Sequence, residues 1–118
     1  NILHIFILYF HTLIITIMDL TQDEWKSQLD SDNNAFLLDV RTLEEYNDGH
    51  IPNSTLIDFD QPQDFIDKIL ALDKSKNYYV YCRSGARSSK ACQVMGHYGI
   101  GVVKNLLGGF MNWDGKYV

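Results

Sequence analysis

Thiols are scarce in this 118-residue chain. Cys82 and Cys92 are its two cysteines, and they form no CxxC pair. Two thiols so placed exclude a disulfide framework, which needs several spaced pairs. The four histidines, His4, His11, His50 and His97, are scattered and none belongs to an HExxH motif, so no metal site is expected. Positive charge is short as well. Ten Lys and Arg stand against 15 Asp and Glu, a net charge of −5 with a pI near 5.1. That balance argues against a nucleic-acid partner or an anionic membrane surface. Charge of either sign is absent from Asn1 to Ile17, an apolar stretch broken by Asn1, His4, His11, Thr12 and Thr16. Without a basic n-region or a small-residue cleavage site it does not read as a signal peptide. A membrane span needs about 20 apolar residues, with Lys or Arg at its flanks to orient it, so an anchor is the second reading. The stretch is built almost wholly from residues that conceptual translation of AT-rich upstream sequence would give. Met18 then immediately precedes Asp19-Leu20-Thr21-Gln22-Asp23-Glu24. We therefore expect residues 1–17 to be a leader and residues 18–118 to be one domain with a single core. Membrane association or export follows only if that leader is translated.

What is present is concentrated in residues 78–89, Tyr-Tyr-Val-Tyr-Cys-Arg-Ser-Gly-Ala-Arg-Ser-Ser. An aromatic and β-branched run ends at Cys82, a short polar loop with Gly85 follows, and a helix opens. That order puts Cys82 at the carboxyl end of a strand and the mouth of a helix, where open α/β sheets bind ligands. Unpaired N–H groups of the first helical turn and the helix dipole favour an anion there. Arg83 and Arg87 read as two fixed positive charges beside it. A thiol in such surroundings ionises below its free value of about 8.5. A buried strand-end cysteine is the plainer reading, but it leaves two arginines, a glycine and two serines unexplained. A free nucleophilic thiol implies a reducing compartment, so a cytoplasmic location is expected. Cys92 falls on the helix after the loop, among Ala91, Val94 and Met95, and reads as core. A resolving thiol is the alternative.

Cys82-Arg83-Ser84-Gly85-Ala86-Arg87-Ser88 resembles the active loop of the rhodanese (thiosulfate sulfurtransferase) homology domain. Asp39-Val40-Arg41 with Glu45-Tyr46, then Gly49-His50-Ile51-Pro52, then Gly108-Gly109-Phe110 with Trp113, match the same family in order. The resemblance covers about residues 19–118. It implies a Cys82 persulfide cradled by Arg83, Ser84, Gly85, Ala86, Arg87 and Ser88, with Asp39 and Arg41 supporting the loop side of the sheet. It gives His50 a structural role. Asn53-Ser54 departs from the small residue usual after the proline, and Asn tolerates the left-handed turn required.

The rest of the chain reads as strands alternating with helices. Two capping boxes, Thr21 with Glu24 and Thr42 with Glu45, open helices running to about Leu29 and to Asp48-Gly49. Ala35–Val40, Ser54–Phe59, the run into Cys82, and Val102–Leu107 read as strands. Pro62 opens a helix with Phe65, Ile66, Ile69, Leu70 and Leu72 as its apolar stripe, and residues 86–98 form another. The expected fold is α/β and rhodanese-like, a central mostly parallel sheet of about five strands with helices on both faces. The expected chemistry moves a sulfane sulfur from a small anionic, thiosulfate-like donor to a thiol, cyanide or protein-thiol acceptor, without a cofactor and as a monomer. A persulfide carrier or docking module is the alternative. A Cdc25-like phosphatase or arsenate reductase is a third, but its loop has five residues between Cys and Arg, whereas four separate Cys82 from Arg87.

Overall fold

The computed structural model describes residues 15–118, so most of the apolar leader, residues 1–14, lies outside the described residues. In chain order the elements are β1 (Thr16–Leu20), α1 (Gln22–Ser31), β2 (Ala35–Asp39), α2 (Leu43–Asp48), β3 (Thr55–Leu56), α3 (Pro62–Leu70), β4 (Asn77–Tyr81), α4 (Ala86–His97) and β5 (Val102–Leu106). A single 3₁₀ turn, Phe110–Asn112, follows. The five strands form one sheet in the order β1-β5-β4-β2-β3, and every pairing is parallel. The strand that leads to Cys82 is therefore central, with β2 and β5 on its flanks.

Side-chain alternation along β4 divides the interior into two layers. Tyr78 and Val80, with Cys82 just beyond the strand, face one side and pack with Phe65 and Ile69 of α3 and Ala91, Cys92 and Met95 of α4. Tyr79 and Tyr81 face the other side and meet Trp25 of α1, Ile51 and Leu106. Trp25 is fully buried and lies edge-on to Tyr79, Tyr81 and Trp113, with centroids 5.8, 6.2 and 5.7 Å away. Its indole N–H donates to the Lys104 carbonyl at 3.0 Å, so burial leaves no polar atom stranded. Both capping boxes form in full. For α2 this matters most, because that helix buries no side chain of its own.

Three details differ from the sequence expectation. The sequence reading named no strand before α1, and the structure has β1 there, from Thr16 to Leu20. The side chains of Ile15, just before the strand, and Ile17, within it, lie over Gly96 of α4, where an added Cβ would meet them at 3.0 and 3.1 Å. The third strand is two residues long rather than six. Ile57 and Phe59 still donate to the Asp39 and Val40 carbonyls, at 2.9 and 3.1 Å, but the chain is already turning toward α3. In α3, Phe65 and Ile69 are buried while Leu70 is exposed, so the stripe is narrower than its composition implies. Among the described residues, no helix is long and apolar enough to cross a membrane.

Candidate active site

Cys82 follows the last residue of β4, and residues 83–85 carry the chain into α4. Gly85 is the N-cap of α4 at φ 103°, a left-handed conformation, and a Cβ on it would sit 3.3 Å from the Leu106 carbonyl oxygen. This turn aims donors at the sulfur. The Gly85 N–H donates to Cys82 Sγ at 3.1 Å, and the Ser88 hydroxyl donates to it at 3.3 Å. Burial pushes the Cys82 thiol up. Hydrogen bonds from the Ser88 hydroxyl and from the N–H groups of Ser88, Gly85 and Ser84 outweigh it, and the net shift is below the ordinary thiol value.

The outer wall of the loop is fixed by the segment after β5. Phe110 N–H donates to the Cys82 carbonyl at 2.8 Å and Met111 N–H to the Arg83 carbonyl at 3.0 Å. In a trans peptide the N–H points opposite its carbonyl. Anchoring these two carbonyls outward therefore turns the next N–H groups, of Arg83 and Ser84, away from that anchor and into the loop. Such close approach requires Gly109, where a Cβ would fall 2.4 Å from the Arg83 oxygen and 2.7 Å from the Cys82 oxygen.

The two loop arginines differ. Arg83 is exposed and has no side-chain partner among the described residues. Arg87 is committed. Its Nη1 and Nη2 donate to the two oxygens of Glu45, at 2.7 and 2.8 Å, and Nη1 lies 3.5 Å from Asp60. The pairing draws Glu45 down to about 2 and raises Arg87 further above its already high value. Arg87 is thus a charge compensated by Glu45 that ties α4 to α2, a pairing that the sequence reading of two fixed positive charges did not include.

Asp39 and Arg41 form a buried pair joined by several hydrogen bonds. Arg41 Nε and Nη2 reach the Asp39 carboxylate at 3.0 and 2.7 Å, the Arg41 N–H reaches it at 2.9 Å, and Nη2 also donates to the Gly49 carbonyl at 2.7 Å. The guanidinium lies 4.4 Å from the Phe110 ring centre, so the pair supports the turn that anchors the loop. His50 stacks on Tyr46 at 3.6 Å with its Nδ1 2.8 Å from the Tyr46 carbonyl. Cys92 is buried. Burial first, then the charges of Asp19 and Cys82, push it up to about 12, so it stays a thiol near neutral pH. Ala86 is exposed at the first turn of α4.

Beside the loop opens a shallow depression of about 300 Å³, lined by Arg41, Glu45, Asp48, Gly49, Arg83, Phe110 and Met111. A larger cavity of about 530 Å³ lies between Leu29, Leu37, Ile51, Pro52 and Trp113 on the α1 face. It includes no residue of the 82–88 loop, whereas the smaller depression includes Arg83. Among the described residues, no group of three or more His, Cys, Asp or Glu is arranged to hold a metal. Glu45 carries a part of the site that sequence reasoning did not assign to it. Glu45 showed itself as a helix cap, and its second contact spans 42 residues of sequence, a separation that no local pattern records.

Residues 21–116 match the family model described as the rhodanese-like domain. The Bacillus subtilis protein YtwF is 37% identical over 91 residues, which is 77% of this chain and 84% of that protein. Thiosulfate sulfurtransferase GlpE of Coxiella burnetii is 31% identical over 81 residues, 69% of this chain and 73% of that one. Among solved structures, a rhodanese-like domain protein from Staphylococcus aureus superposes with a TM-score of 0.72 at 33% identity, covering 84% of this chain and 93% of the other. That neighbour has the same α/β architecture.

Proposed function

The chain belongs to the rhodanese-like domain family, and from that premise we propose that it is a sulfurtransferase working through Cys82. The reaction has two half-steps. The Cys82 thiolate attacks the outer sulfur of thiosulfate; a new S–S bond forms, the old one breaks, and sulfite leaves with the electron pair. The persulfide then meets cyanide or a thiolate, which takes the terminal sulfur and returns the thiolate to Cys82. Charge and atoms balance in each half-step without a metal or redox cofactor.

The observation that carries this reading is the convergence of Gly85 N–H and Ser88 hydroxyl on Cys82 Sγ at a helix N-terminus. Those donors stabilise the thiolate before attack, and the same ring of N–H groups suits a terminal persulfide sulfur, which is one atom. A four-residue spacing between Cys82 and Arg87 gives a tighter ring than the three free oxygens of a phosphate require. Arg83, the uncompensated loop cation, faces an acidic background and attracts a small dianion such as thiosulfate. The donor class is also that named for the Coxiella relative.

Steady-state assay tests it. With thiosulfate and cyanide the protein produces thiocyanate with ping-pong kinetics, and Cys82→Ser, folded by circular dichroism, produces none. Turnover of an aryl phosphate in place of thiosulfate would reverse the assignment. A persulfide discharged by a protein thiol but not by cyanide would make the chain a carrier.

A further inference from the structure

Gly85 is the joint of the loop least held by its own chemistry. Without a side chain nothing local confines it to φ 103°, so outside contacts must. One is the first hydrogen bond of α4, Ser89 N–H to the Gly85 carbonyl at 3.1 Å. The other comes from Asn105 on β5. Its Nδ2 lies 2.9 Å from Asp19 Oδ1 and 3.4 Å from the Gly85 carbonyl oxygen. Asn105 is 2% exposed, and its Oδ1 is buried with no partner among the described residues.

That orphaned oxygen is the informative feature. Asn is a poor strand former, and an unpaired buried acceptor is a cost that an aliphatic residue of similar size would avoid. The sheet by itself has no use for an amide here. Rotating the amide would set its oxygen against the Asp19 carboxylate and the Gly85 carbonyl, so the orientation is the one these partners permit. The register places Asn105 beside Asp19 on β1 and Val80 on β4, two residues before Cys82.

We propose that Asn105 is a positioning residue for Cys82: held by Asp19, its amide donates to the Gly85 carbonyl and fixes the turn whose N–H reaches the sulfur. Without it Gly85 rotates, the 3.1 Å contact to Sγ lengthens, and the thiolate loses a donor. Arg87 and Cys92 are electrostatically coupled to Cys82, and Asp19 to Cys92; the Asn105 substitutions that test the proposal alter none of the three.

The test is the pH profile of Cys82 alkylation by iodoacetamide, read by peptide mass to separate it from Cys92. In Asn105→Leu the thermal midpoint stays at or above that of the wild type. Its alkylation midpoint rises, its reactivity at pH 7 drops about tenfold, and kcat/KM for thiosulfate falls in parallel. A folded Asn105→Leu protein whose profile overlays the wild type overturns the proposal. Should Asn105→Leu not fold, Asn105→Ser, too short to reach Gly85, gives the same two outcomes. The activity arm rests on the sulfurtransferase reading, but alkylation needs no sulfur donor. A chain that ignores thiosulfate would sink that reading and leave the positioning role to be judged by the profile alone.

Discussion

Arg83 and Arg87 flank the same loop under opposite electrostatic conditions. Arg83 is solvent-facing with no charge partner among the described residues, whereas Arg87 shares Glu45 and Asp60. Arg83→Ala is therefore expected to raise the KM for thiosulfate several-fold with stability unchanged, while Arg87→Ala lowers stability; steady-state kinetics and urea unfolding separate the two. Glu45 adds a pH signature. Its folded value lies near 2, below the ordinary 4.5, so its contribution to stability is complete above 4.5 and is lost as pH falls toward 2. Glu45→Gln should reduce the unfolding free energy at pH 7 by about 1 kcal/mol, and the difference from wild type should close across that acid window. Cys82, with Gly85 and Ser88, was legible in the sequence because strand, loop and helix cap are contiguous there. The fate of Arg87 was not, because charge compensation depends on a residue brought in from α2 by the fold.

At the scale of elements, the loop is held between α4 behind it and the 3₁₀ turn in front. Both supports use glycines at positive φ: Gly85, where a Cβ would press on the Leu106 carbonyl, and Gly109, where there is no room for one. Gly109→Ala would drive a methyl into the Arg83 and Cys82 carbonyls. We expect a loss of about 1–3 kcal/mol in stability with a fall in sulfur transfer, measured by thermal unfolding and thiocyanate production. The capping boxes were readable because their logic is local, three residues apart, and both form. β1 was not predicted. Its Thr-Ile-Met-Asp-Leu run merges with the apolar residues before it, and only parallel pairing with β5 distinguishes it. β3 was overextended for the converse reason: six residues have strand composition, but the turn into α3 leaves two of them in the ladder.

Across the molecule, a five-stranded parallel sheet is closed on both faces, and one aromatic holds the α1 side together. Trp25 touches both inward tyrosines of β4 and Trp113 beyond β5. Trp25→Ala should cost about 3–5 kcal/mol, a large part of the stability of a domain this size, and denaturant unfolding would show it. Strand and helix alternation made the sheet's parallel character and its two-sided cover readable in advance. The edge position of β1 was not, since strand order depends on non-local pairing. The central proposal is that this sheet presents one thiol of lowered pKa, Cys82, to a sulfane donor. Intact mass spectrometry after incubation with thiosulfate tests it most directly. The account predicts a gain of one sulfur atom on the Cys82 peptide, none on Cys92, and its removal by cyanide; an unmodified Cys82 in folded protein would contradict it.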